Sequence, residues 1–159
     1  MKYNSNSEPM EMSYFRLNLL SYLRDAHPDK ANDFSFIAGH GDTATEAYSQ
    51  AIKSGLDHIQ AGEIANETLF AGLHFSPYNT IVEILWNEFS NEVPEEKAKE
   101  LALQLLPECQ SVLAKYDLND DFVSEPEYDQ LYTELTGTIA LYLESHTVIS
   151  NWLTPNVVS

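Results

Sequence analysis

The chain has 159 residues, with 25 acids against eight lysines and arginines, for a formal net charge of −17. Its apolar content of 43% is that of an ordinary globular protein, enough for one domain with a real core. A field of that sign opposes duplex DNA and anionic lipid, and no run approaches the roughly 20 apolar residues of a membrane span.

Residues 1–8, MKYNSNSE, are polar and expected to be a loose lead-in. The first helix is expected from Pro9 to about Asp25, with Met12, Phe15, Leu19, Leu20, Tyr22 and Leu23 on its buried arc. Arg16 falls inside that arc. His27-Pro28 ends the element, because the residue before a proline avoids helical angles. A second helix starts near Asp33 and carries Phe34, Ile37, Ala44, Ala47, Tyr48, Ala51 and Ile52. Gly39-His40-Gly41 interrupts it. Two glycines cost about 1 kcal/mol each relative to alanine, so a kink or break is expected, with Thr43 and Glu46 spaced as a capping box for a fresh start. Gly55 is a good stop. Asp57 and Gln60 then open a third helix with the same box spacing, whose face is Ile64, Ala65, Thr68, Leu69, Gly72 and Leu73.

Ser76-Pro77 is a strong helix start, since serine caps the first free amides and proline at the first position loses no bond. In the helix expected over 77–91, Tyr78, Ile81, Val82, Ile84, Leu85, Trp86 and Phe89 fill an arc of roughly 200°, about twice what a surface helix needs. Glu88 falls inside that arc and must be neutralised, paired or at its solvent edge. Pro94-Glu95-Glu96 opens a fifth helix through Leu101, Leu105 and Leu106, which Pro107 should kink or split. A polar link, 117–121, leads to the last long helix, with Tyr128, Leu131, Tyr132, Leu135, Ile139, Tyr142 and Leu143 on one face. From Ser145 on, the chain has no formal charge. Its apolar tail, 146–159, is expected to pack back on the domain or to form an interface through Trp152, Leu153 and Val157. The fold class is therefore all-α: one domain over 9–145, about six helices around the central apolar helix.

Sites are few. There is no His-x₃-His pair and no Glu-x-x-His, so neither zinc-protease nor bundle di-iron spacing is met. Asp117-x-Asn119-x-Asp121 starts like a calcium loop. Phe122 stands where glycine is needed and Tyr128 where glutamate is needed, which makes a solvated link the better reading. Cys109 is the sole cysteine, so no disulfide can form within the chain, and a reducing compartment is favoured. Its neighbour Glu108 weakens it as a nucleophile. Gly39-His40-Gly41 lacks the lysine of a phosphate loop. His74, Tyr78 and Trp86 are weak functional candidates; a histidine in such an aromatic turn is most often structural. Arg16 and Glu88 each break an apolar arc, and together they would make a buried structural ion pair. No catalytic residue, metal or cofactor is expected.

The runs SYFRLNLLSYLRDAHP, EIANETLFAGLHFS, GLHFSPYNTIVEILWNEF with EVP after it, and EYDQLYTELTGTIALYL resemble a family. It is a small domain-of-unknown-function family of Bacteroidetes, often encoded in or near conjugative transposons. The resemblance covers roughly residues 12–145. It implies a compact multi-helical fold and a cytoplasmic protein, and it brings no assigned activity to transfer. The chain departs from the family pattern at Gly39-His40-Gly41 and in the tail.

Three readings follow. The first is a non-enzymatic interaction or accessory protein, with an unknown protein partner or self-association through the tail, and no direct nucleic-acid or membrane binding. The second is an acidic decoy that occupies the DNA site of a basic protein, which requires carboxylates spaced like phosphates on one face. The third is an enzyme with an unrecognised helical-bundle site, which requires a deep pocket lined by His74 and carboxylates.

Overall fold

The computed structural model describes the backbone of residues 7–153 and the side chains of residues 14–146. It is all-α among these residues, with seven α-helices: α1 (Ser7–Ala26), α2 (Phe34–Lys53), α3 (His58–Leu69), α4 (Pro77–Glu88), α5 (Ala98–Glu108), α6 (Gln110–Leu113) and α7 (Glu127–Leu153). Short 3₁₀ turns lie at Pro28–Lys30, Glu95–Lys97 and Phe122–Ser124. The chain divides into two compact units, Met1–Ser76 and Pro77–Ser159, so the boundary falls at the proline-led helix start. No helix among the described residues is long and apolar enough to cross a membrane.

In the N-terminal unit, α2 packs along α3 and against α1. Phe15, Leu19 and Leu23 of α1 form a buried cluster with Ile37 and Ala44 of α2, Ala65 and Leu69 of α3, and Leu73 beyond it. α2 runs unbroken through Gly39-His40-Gly41, which corrects the expected kink. Two features carry it through. Asp33 caps its first turn, accepting a hydrogen bond from the Phe36 amide at 3.1 Å. Gly41 also lies on the buried stripe of Ile37, Ala44 and Ala51, at the four-and-three spacing of a packing seam. The stem of Arg16 crosses it there: a Cβ at Gly41 would stand 2.7 Å from Arg16 Cγ. The glycine is thus a site of close approach. Thr43 starts no new helix; its hydroxyl donates to the Gly39 carbonyl one turn back.

The capping box of α3 is present as the spacing predicts, with Asp57 accepting from the Gln60 amide at 2.8 Å and Gln60 answering the Asp57 amide at 3.2 Å. Gly55, at φ +103°, supplies the left-handed turn that ends α2. The buried face of α3 is Ala61, Ala65 and Leu69, while Ile64 is exposed. Alanines on α2 and α3 allow the two backbones to lie close. His27 closes the unit: its Nε2 lies 2.8 Å from the Leu73 carbonyl, which also accepts from the Tyr22 hydroxyl at 2.6 Å. Ser76 donates to the carbonyl of Ala26.

In the C-terminal unit, α4 packs on α5 and α7. Tyr78, Thr80, Ile81, Val82, Ile84, Leu85 and Phe89 are buried. This arc is as broad as the sequence indicates but rotated by roughly 40° toward Thr80, which leaves Trp86 at its edge. Thr80 is satisfied by a hydrogen bond with the Tyr128 phenol. Val93, Ala98, Ala102, Leu105, Leu106, Cys109, Leu113, Phe122, Leu131, Leu135 and Ile139 are the other buried residues of this unit among those described. The helical segment around Pro107 splits in two at Cys109, two residues past the proline. α7 runs on to Leu153, into the uncharged stretch that begins at Ser145. No proline or glycine follows Gly137 until Pro155, so nothing local stops it earlier.

Candidate binding surface

The segment from Glu83 to Glu134 holds 14 acids and three lysines, so at most three of those acids can be neutralised by a lysine of the segment. Lys97 reaches Glu100 at 3.8 Å, and Lys115 reaches Glu134 at 2.8 Å. Glu134 also accepts from the Tyr116 hydroxyl. These two partners hold the Glu134 carboxyl below its ordinary range, Lys115 foremost. Burial first, and then Glu134, pushes the Tyr116 phenol up to about 12. This trio joins α7 to the turn after α6. Glu83, Glu92, Glu95, Glu96, Glu108, Glu127 and Asp129 are all exposed.

Two open depressions lie within this unit. The first, about 410 Å³, is lined by Trp86, Glu95, Glu96 and Lys99. The turn after α4 folds Glu95 back on Trp86, whose indole N–H donates to the Glu95 carbonyl at 3.3 Å. That bond fixes an indole that is 40% exposed. The second, about 470 Å³, is lined by Phe89, Glu92, Ala140, Leu141, Leu143 and Glu144. Leu141 there is 69% exposed.

The other candidates fall as follows. Arg16 binds Asp42 at 2.9 Å in an exposed pair, and its Nε is buried without a hydrogen-bond partner. Glu88 accepts from the Tyr132 hydroxyl at 3.0 Å at the solvent-facing end of α4. Each of the two arc-breaking charges therefore has a partner inside its own unit. His74 is exposed in its turn, and Tyr78 is buried in the first turn of α4. Trp152 and Leu153 lie on the last turn of α7 with side chains outside the described residues, and Val157 lies outside them altogether. His40 packs tilted against Phe36 with ring centroids 4.2 Å apart, and its Nδ1 lies 3.3 Å from the Leu69 carbonyl; this is a packing role. Cys109 is fully buried, and that burial, helped by Glu108, lifts its thiol to about 11. Its inertness comes more from burial than from the acidic neighbour that the sequence offered. In the 117–121 link, Asn119 donates to Asp117 and Glu125 while its carbonyl oxygen accepts from the Asp121 amide. Among the described residues no group of three or more His, Cys, Asp or Glu could hold a metal ion.

Trp86 was visible in the sequence; Glu95, Glu96 and Lys99 beside it were not. Their placement depends on the path of the turn from Phe89 to Pro94, where the Glu92 and Val93 amides fold onto the Phe89 carbonyl.

The fold and much of the sequence recur elsewhere. Protein PG0816 from Porphyromonas gingivalis, known from a crystal structure, is similar to this chain at a TM-score of 0.84 and 46% identity, over 88% of this chain and 95% of that one. No curated protein matches the chain. The chain belongs to the family described as a domain of unknown function (DUF1896), whose model matches residues 7–148.

Proposed function

We propose that this chain is a non-enzymatic interaction protein of the cytoplasm that binds a basic protein partner through its C-terminal unit and serves as an accessory to conjugative mobile elements. The observation that carries the binding reading is the surplus of carboxylates over Glu83–Glu134, 14 acids against three lysines, most of those acids exposed. Complementary potential steers association and selects partners of opposite sign. The same field disfavours nucleic acid and anionic membrane as direct ligands. The two depressions add apolar and aromatic surface to the charge, the mixture from which interface anchors are built. The mobile-element role rests on the family resemblance of the quoted runs.

The test is retention from native lysate on the immobilised chain, followed by stepwise elution with salt. The expected result is a specific basic protein that elutes as ionic strength rises and fails to bind a column carrying the chain with Glu92, Glu95 and Glu96 changed to Gln. Retention of no specific protein, or of one indifferent to salt and to those substitutions, refutes the reading.

A further inference from the structure

We propose that the depression beside Trp86 seats a single cationic side chain, arginine before lysine, of a basic protein partner. The inference deepens the reading above and rests on it. Its ground is the combination of groups lining the depression. Trp86 presents an indole that is 40% exposed and held in one orientation by its N–H bond to the Glu95 carbonyl. Glu95 and Glu96, both exposed, line the same depression, and Lys99 supplies the one opposing charge. The formal balance of these four residues is one net negative charge.

An aromatic face attracts cations through its quadrupole, and tryptophan does so best. Carboxylates beside it add a charge-assisted hydrogen bond. An anion would meet two carboxylates there, and a purely apolar chain would strip water from both without replacing their hydrogen bonds. Only a cation answers the ring and the acids together. Arginine is preferred because its planar guanidinium stacks on an indole while its edge bonds a carboxylate. The depression, about 410 Å³ and open to solvent, is large enough for one such head group. The fourteen acids of the surrounding segment bring the cation in from a distance.

The test uses a fluorescein-labelled hexa-arginine peptide and a peptide of equal length with citrulline in place of arginine. The full chain carries Trp152→Phe, which leaves Trp86 as the only one of its two tryptophans. Binding is read by anisotropy at low salt, and the site by Trp86 emission with unlabelled peptide. The proposal expects the arginine peptide to bind and to shift Trp86 emission, and the citrulline peptide to do neither. Trp86→Leu should weaken binding by about two- to fivefold, the range of an exposed cation–π contact. Glu95→Gln with Glu96→Gln should weaken it by a similar factor, and far-UV circular dichroism checks that both variants keep the helical fold. Binding that leaves Trp86 emission unchanged and is indifferent to both variants overturns this site and leaves the acidic-surface reading standing. No binding of the arginine peptide overturns both.

Discussion

Gly39 and Gly41 are two residues apart on one helix, and the structure assigns them opposite responses to the same substitution. Gly39 is exposed, with nothing within 4 Å of where a Cβ would stand. Gly39→Ala should therefore collect only the helix-propensity gain, about 0.5–1 kcal/mol. Gly41→Ala gains the same term but drives a methyl to 2.7 Å from Arg16 Cγ, with Nε and Cδ at 3.6 and 3.7 Å. The clashing atom is near the root of the side chain, so relief requires a new Arg16 rotamer or a shift of α1 against α2. Overpacking of this kind costs about 1–3 kcal/mol. Moving Arg16 also gives up its bond to Asp42, an exposed pair worth at most about 1 kcal/mol. The net for Gly41→Ala lies between about zero and 3 kcal/mol of destabilisation. Urea denaturation followed by circular dichroism should place the Gly39→Ala midpoint above the parent and the Gly41→Ala midpoint at or below it. In a thermal scan the parallel shift for a chain of this size is about 2–4 °C per kcal/mol. Equal stabilisation by the two substitutions would refute the close crossing of α1 over Gly41, and with it the account of why α2 does not break.

Other outcomes are equally specific. Arg16→Met removes an exposed pair together with an orphaned buried N–H, so unfolding free energy should change by no more than about 0.5 kcal/mol in either direction; a loss of about 3 kcal/mol or more in denaturant titration would mean that Arg16 belongs to a buried pair after all. Asp57→Ala should cost about 1 kcal/mol by the same assay, because it removes the α3 cap. Burial lowers the His27 pKa beneath its ordinary 6.5, so the unfolded chain takes up that proton first. The corresponding stability is fully present above about pH 6.5 and is lost as pH falls toward the lowered value. His27→Gln should flatten that limb in urea midpoints measured from pH 8 to pH 5, and an unaltered limb would clear His27 of the effect. Cys109 should resist alkylation by iodoacetamide at pH 8 in the native protein and react fully in concentrated urea, as expected of a buried thiol held near 11.

The helix boundaries that the sequence made legible are those written in local chemistry. Asp57 with Gln60, Pro77 at the first position of α4 and Gly55 all act where their spacing says they should, because caps, helix starts and left-handed turns need only neighbours in the chain. The errors arise where a distant residue decides. Gly41 looks like a breaker until Arg16 lies across it. Trp86 looks like core until the arc of α4 turns by roughly 40° toward Thr80, which shares a hydrogen bond with Tyr128. Pairing Arg16 with Glu88 was an inference from two gaps in a pattern, and Asp42 and Tyr132 were present in the sequence without any signal marking them. The reach of α7 to Leu153 follows from local chemistry as well, since the sequence offers no proline or glycine between Gly137 and Pro155. The depression beside Trp86 was not legible at all, since it depends on a turn that no periodicity describes.

The central claim is that the C-terminal unit carries the partner-binding charge, and matched neutralisation tests it directly. Glu92, Glu95 and Glu96 are changed to Gln in one variant, and Glu46, Glu63 and Glu67 of the N-terminal unit in another; all six are exposed and the change in net charge is the same. Affinity for the hexa-arginine peptide is then measured by anisotropy at low salt. The account predicts a loss of about tenfold for the first variant, the sum of three surface ion pairs at roughly 0.5 kcal/mol each, and less than about twofold for the second. Equal losses in the two would show that the peptide reads net charge alone, and would contradict it.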